Sequence, residues 1–100
     1  MSTDPSFQMT VEDVFFIRGR GTVVTGKVAS GTLKIGDQVT LQHGGTSRTV
    51  TVTGIEMFRK LLEQAGPGDN VGLLLKDLAK DDVLRGDQLV GSETDFSWKP

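Results

Sequence analysis

The sequence contains no cysteine, no tyrosine and a single histidine, and each shortage removes a class of chemistry. Without cysteine there is no disulfide framework, no thiolate metal site and no cysteine nucleophile. His43 stands beside Gly44-Gly45, and no carboxylates follow it at a spacing that would complete a zinc site, so no metal is expected. No run approaches the roughly 18 apolar residues of a membrane span. The opening MSTDPSFQM also lacks a basic stretch followed by an apolar core. These features predict a soluble, cytoplasmic protein without membrane contact. An excess of charge of one sign is missing too: 11 basic against 13 acidic residues leave a formal net charge of −2. No global field therefore draws the chain to phosphate backbones, and any nucleic-acid contact must be local and shaped.

What is present is glycine, 13 in 100 residues, against about 7% in average proteins, which points to tight turns between short strands. One hundred residues suit one small domain with one modest core. Residues 1–8 read as a polar N-terminal arm, 9–91 as the folded domain and 92–100 as a polar tail in which Phe96 and Trp98 are positioned to pack back. From Met9 onward β-branched and aromatic residues dominate. Two such runs, Val11 to Ile17 and Thr22 to Val28, flank Gly19-Arg20-Gly21, a turn whose glycines present the arginine outward. Thr32 to Leu41 forms a second strand-turn-strand unit broken at Gly36-Asp37. The clearest period-2 alternation is RTVTVTGI, Arg48 to Ile55. Glu56 to Ala65 fits helical and strand spacing equally. Gly66-Pro67-Gly68-Asp69 forces a turn, VGLLLK reads as a buried strand, Asp77 to Arg85 as a helical turn or loop, and Gln88 to Val90 as a last strand. About seven closely spaced strands predict an all-β barrel or sandwich.

Several motifs fail on inspection. GTVVTGK, Gly21 to Lys27, begins like a phosphate-binding loop, but Val28 stands where Ser or Thr must ligate magnesium, and strand formers fill the interior. Val24 occupies the third glycine position of a dinucleotide fingerprint. Glu12 and Asp13 are adjacent on a strand and so point to opposite faces, unlike a catalytic carboxylate pair converging on one site. Arg85-Gly86-Asp87 is a turn. With no nucleophile, base and oxyanion arrangement in the inventory, the chain is not expected to be an enzyme. Arg18, Arg20, Arg59 and Lys60 near Phe15, Phe16 and Phe58 have the composition of a single-stranded nucleic-acid surface, although such residues more often form a barrel core with a solvated rim.

Three segments, VEDVFFIRGRGTVVTGKVASGTLKIGDQV, VTGIEMFRKLLEQAGPGDNVGLLLK and KDDVLRGDQL, together resemble the second domain of bacterial elongation factor Tu, in order and with nearly matching spacing, from about Phe7 to Val90. The resemblance implies a closed antiparallel barrel of about six or seven strands, with Glu56 to Ala65 as strand and turn. In that family the barrel holds the 3′ end of aminoacyl-tRNA. Position by position, the resemblance implies an aminoacyl pocket of Glu12, Asp13, Phe15, Thr25 and Asn70. It places the terminal adenosine against Ile17, Gly19, Glu56 and Leu74, with Arg59 near the backbone phosphate. Apolar walls can stack a base, and Glu56 can accept a hydrogen bond from ribose.

The GTP-binding domain and the third domain of the family are not part of these hundred residues. Thr10 stands where the family often has proline, and GSETDFSWKP replaces the usual link to the third domain, which implies a free-standing reading frame. The expected function is a non-enzymatic module that binds tRNA or aminoacyl-tRNA weakly, with no cofactor, no small-molecule substrate and no GTPase activity. The alternative is a protein-interaction barrel that docks on a GTP-binding domain or a ribosomal protein; an uncovered docking face would also permit self-association.

Overall fold

A computed structural model describes residues 6–57 and 60–91. Its strands are β1 Gln8–Thr10, β2 Asp13–Ile17, β3 Gly21–Ser30, β4 Leu33–Lys34, β5 Gln38–His43, β6 Thr46–Met57, β7 Lys60–Leu62, β8 Gln64–Ala65, β9 Asn70–Leu75 and β10 Gln88–Gly91. A single 3-10 turn, Lys80–Asp82, sits between β9 and β10. Six strands, in the order β1-β10-β5-β6-β9-β3, close into an antiparallel barrel where β3 pairs with β1. Two more lie outside the closed path: β2 pairs with β3 and β7 with β6. The expected small closed barrel is therefore the fold, with two added strands and a minor β4–β8 ladder.

The barrel closes because its strands alternate. In β9, Val71, Leu73 and Leu75 are buried while Asn70, Gly72 and Leu74 turn outward. In β3, Val24 and Val28 enter the core and Thr25 and Lys27 face away. Their side chains meet Met9, Leu41, Val52, Ile55 and Leu89, all at or near zero exposure. Each such burial contributes about 1.5–3 kcal/mol. Phe7, in the stretch expected to be an arm, is itself 5% exposed and joins this core, and Gln8 opens β1. The expected packing of Phe96 and Trp98 falls outside the described residues.

β6 changes phase partway along. Val50 and Val52 point inward two residues apart, but the next buried residue is Ile55, three further on. A register shift between Val52 and Gly54 inserts one extra residue opposite β9, where Val52 pairs with Leu75 and Gly54 with Leu74. Such a bulge reverses which face each later side chain occupies. Unbroken alternation from Val52 would bury Glu56; the bulge turns it outward. Beyond it, β6 pairs Ile55, Glu56 and Met57 with Leu62, Leu61 and Lys60 of β7. The described part of Glu56 to Ala65 is thus strand and turn, its apolar residues spaced by pairing back onto β6 and not by a helical face.

Thr22 is the one buried polar residue among those described, and its hydroxyl donates to the Leu78 carbonyl at 2.6 Å. Thr22→Val keeps the volume and strands that carbonyl. The expected loss is about 1–2 kcal/mol of unfolding free energy in urea titration; an unchanged midpoint would show that water or backbone movement replaces the bond.

Candidate functional site

β3 and β6 each exchange partners along their length, and this creates the surface of interest. β3 pairs with β1 near Val28 and Ser30 but with β2 from Gly21 to Thr25. β6 pairs with β5 as far as Thr51 and with β7 from Ile55 onward. At one end of the barrel the strands therefore form a sheet in the order β2-β3-β9-β6-β7, whose inner face is core and whose outer face is open.

Cross-strand register arranges that outer face in rows. Phe15 pairs with Val23, Val23 with Leu74, and Leu74 with Gly54. One step along, Asp13 pairs with Thr25, Thr25 with Gly72, Gly72 with Glu56, and Glu56 with Leu61. An apolar row of four strands thus lies beside a polar one of five, spanning about 14 Å and about 19 Å at the usual strand spacing. The glycines keep the floor low: a Cβ at Gly54 would press on Leu74 Cβ at 3.4 Å, and one at Gly72 on Val23 Cγ1 at 3.4 Å. Ile17 extends the apolar side, opposite Gly21.

At the polar end a pocket of about 200 Å³ is lined by Glu12, Thr25, Gly26, Glu56, Met57, Asn70, Val71 and Gly72. Glu12 precedes β2, so the expected placement of Glu12 and Asp13 on opposite faces of a strand does not hold and both border the outer face; the Glu12 backbone is clamped there. Its N–H donates to the Thr25 carbonyl at 2.7 Å, and its own carbonyl accepts from Arg85 Nε at 3.0 Å. Val11 before it is bonded both ways to the 84–87 turn, through Asp87 O and Gly86 N. That turn is in turn held by Asp87 Oδ2, which accepts from the Leu84 N–H at 2.8 Å and lies 2.6 Å from His43 Nδ1. Arg85-Gly86-Asp87 is accordingly a structural clamp for the segment that carries Glu12.

The residues expected at the site divide as follows. Glu12, Thr25, Glu56 and Asn70 meet in the pocket, and Phe15, Ile17 and Leu74 share the apolar side of the same face. Asp13 is on the polar row but does not line the pocket; its carboxylate is 3.9 Å from Arg85 Nε. Gly19 lies in the β2–β3 turn with φ of +84°, and Gly21 follows at +112°. Arg59 and Phe58 fall outside the described residues. GTVVTGK lies within β3, so no helix N-terminus faces it.

Arg20 is exposed, as the turn implies, but its guanidinium is not free: it folds over to Glu56, Nη2 to Oε2 2.5 Å. Val23, Gly54 and Gly72 also belong to the face, beyond the residues that the resemblance implies. A glycine inside a strand is the signal available for such a close approach, and both glycines carry it.

The family model described as elongation factor Tu domain 2 matches residues 21–90. The chain belongs to the elongation factor Tu domain 2 family. The matched stretch runs from β3 through β10 and so contains most of the outer face, with β2 and Glu12 preceding it. The elongation factor Tu domain 2 fold thus accounts for the barrel, and the added strands β2 and β7 define its open face. Among the described residues no helix is long and apolar enough to cross a membrane, and no cluster of three metal-ligating side chains occurs.

Proposed function

We propose that the chain is a non-enzymatic translation-factor module, acting in the cytoplasm, whose outer sheet face binds the 3′ CCA end of tRNA or aminoacyl-tRNA. The observation that carries this reading is the pair of rows: Phe15–Val23–Leu74–Gly54 beside Asp13–Thr25–Gly72–Glu56. A flat apolar strip suits the face of an unpaired base, and acceptors one step away suit the hydroxyls of its ribose, the group that marks RNA. The adjoining pocket, with Glu12, Glu56 and Asn70, offers acceptors to an aminoacyl ammonium group. GTP hydrolysis is not part of the proposal, because the glycine-lysine stretch is strand and lacks the magnesium-ligating hydroxyl. One barrel face offers limited contact area, so affinity is weak.

Fluorescence titration with a CCA-ended RNA hairpin tests this reading. Glu56→Ala is expected to weaken binding roughly tenfold, the cost of a charge-assisted hydrogen bond. Equal affinity would remove Glu56 and the polar row from the site. A second reading, docking on a GTP-binding domain or ribosomal protein, draws on exposed Phe16 (59%) and Leu61 (75%) on the two added strands. Saturating RNA without response would favour it.

A further inference from the structure

The outer face carries acids where an RNA terminus carries phosphates. Glu12, Asp13 and Glu56 all border it, and a polyanion approaching them meets repulsion unless a cation is within reach. Arg20 is on the same face. It rises from the β2–β3 turn, and Glu56 lies on β6, with β9 between β3 and β6. Their ion pair therefore spans the outer side of β9, over the stretch that holds Leu74 and Gly72. In the free barrel this pair engages Oε2 of the carboxylate that ribose would use and crosses the β9 part of the strip on which a base would stack, while Phe15 and Ile17 stay exposed.

From this geometry we infer that Arg20 is a hand-over group: an RNA terminus is bound by transfer of its guanidinium from Glu56 to a backbone phosphate, which uncovers the apolar strip and frees the Glu56 carboxylate for a ribose hydroxyl. The inference rests on the function proposed above and assigns Arg20 as its phosphate contact. The exchange is inexpensive because the pair is partly solvated, its side chains 41% and 32% exposed, and such surface pairs contribute little. Arginine suits the task, since its planar fork fits a carboxylate and a phosphate alike. The turn suits it as well. Gly19 and Gly21 flank Arg20 with positive φ, and a Cβ at Gly19 would meet nothing within 4 Å, so the backbone around the arginine is uncrowded.

The test compares parent and Arg20→Gln in their binding of a CCA-ended RNA hairpin over a range of salt concentrations. Hand-over predicts that Arg20→Gln binds several-fold more weakly at low salt, with the difference shrinking as salt rises. The slope of log K against log salt becomes shallower by roughly 0.7, one single-strand phosphate contact. In the labelled parent, the Arg20 Nε–H resonance shifts on adding RNA. An unchanged slope, or tighter binding by Arg20→Gln at every salt concentration, overturns the hand-over, the first making Arg20 a bystander and the second a mere cover. A parent that binds no RNA overturns the function proposed above, and the hand-over with it. A parent that binds with a slope indifferent to Arg20 removes the hand-over alone.

Discussion

Gly26→Ala is expected to cost about 3 kcal/mol of unfolding free energy, at the upper end for overpacking a tight interior. The reason is where β1 crosses β3. A Cβ at Gly26 would overlap the Thr10 carbonyl oxygen and come within 2.9 Å of Met9 Cε. Met9 can change rotamer, but the Thr10 carbonyl is backbone, and β1 is the strand whose pairing with β3 closes the barrel. Moving it also disturbs Met9, which is fully buried. For a chain of this length such a loss lowers the melting temperature by roughly 10–20 °C. Gly45→Ala is the control, because a Cβ there meets nothing within 4 Å; it is expected to change stability by less than about 0.5 kcal/mol. Equal melting temperatures for the two variants would mean that β1 does not approach β3 as closely as described.

Leu74→Asp is expected to weaken binding of a CCA-ended RNA roughly tenfold to a hundredfold while leaving the fold intact. Leu74 is central to the apolar row, paired with Val23 on one side and Gly54 on the other. Loss of a stacking surface costs about 1–3 kcal/mol per base, and the new carboxylate repels phosphate besides. Leu74 faces outward from β9, between the buried Leu73 and Leu75, so the core is not opened. Thr49→Asp adds the same charge to an exposed position on β6 where it pairs with β5, and is expected to leave binding unchanged. Parallel losses in both variants would indicate a general electrostatic effect, and no loss in Leu74→Asp would remove the apolar row from the site.

Much of the barrel is legible in the residues because alternation is local. Val71, Leu73 and Leu75 can be assigned to a strand from VGLLLK, and the turns at Gly66-Pro67-Gly68 and Arg85-Gly86-Asp87 follow from their residue types. What alternation does not carry is phase across an irregularity. Val50 and Val52 predict a continuing pattern, but the bulge before Gly54 reverses it, and the outward placement of Glu56 depends on that single extra residue. Nor does it carry register. That Asp13, Thr25, Gly72 and Glu56 share a row depends on three independent pairings, the longest between residues 47 positions apart in sequence. Glu56 to Ala65 reads equally as helix because Leu61 and Leu62 suit either period, and only their pairing with β6 decides. Arg20 is exposed as its turn implies, but its ion pair is not legible because the partner is 36 residues away. The residues that compose the site were therefore nameable from their resemblance to a family, whereas their convergence on one face is a property of the folded register.

The most direct measurement is an amide chemical-shift titration of the labelled chain with a CCA-ended RNA hairpin. Binding at the outer sheet face predicts shifts clustered at Phe15, Ile17, Val23, Thr25, Glu56, Asn70, Gly72 and Leu74, with β5 and β10 on the far side of the barrel unmoved. Shifts centred on β5 and β10, or none at RNA concentrations that saturate a weak site, would contradict it.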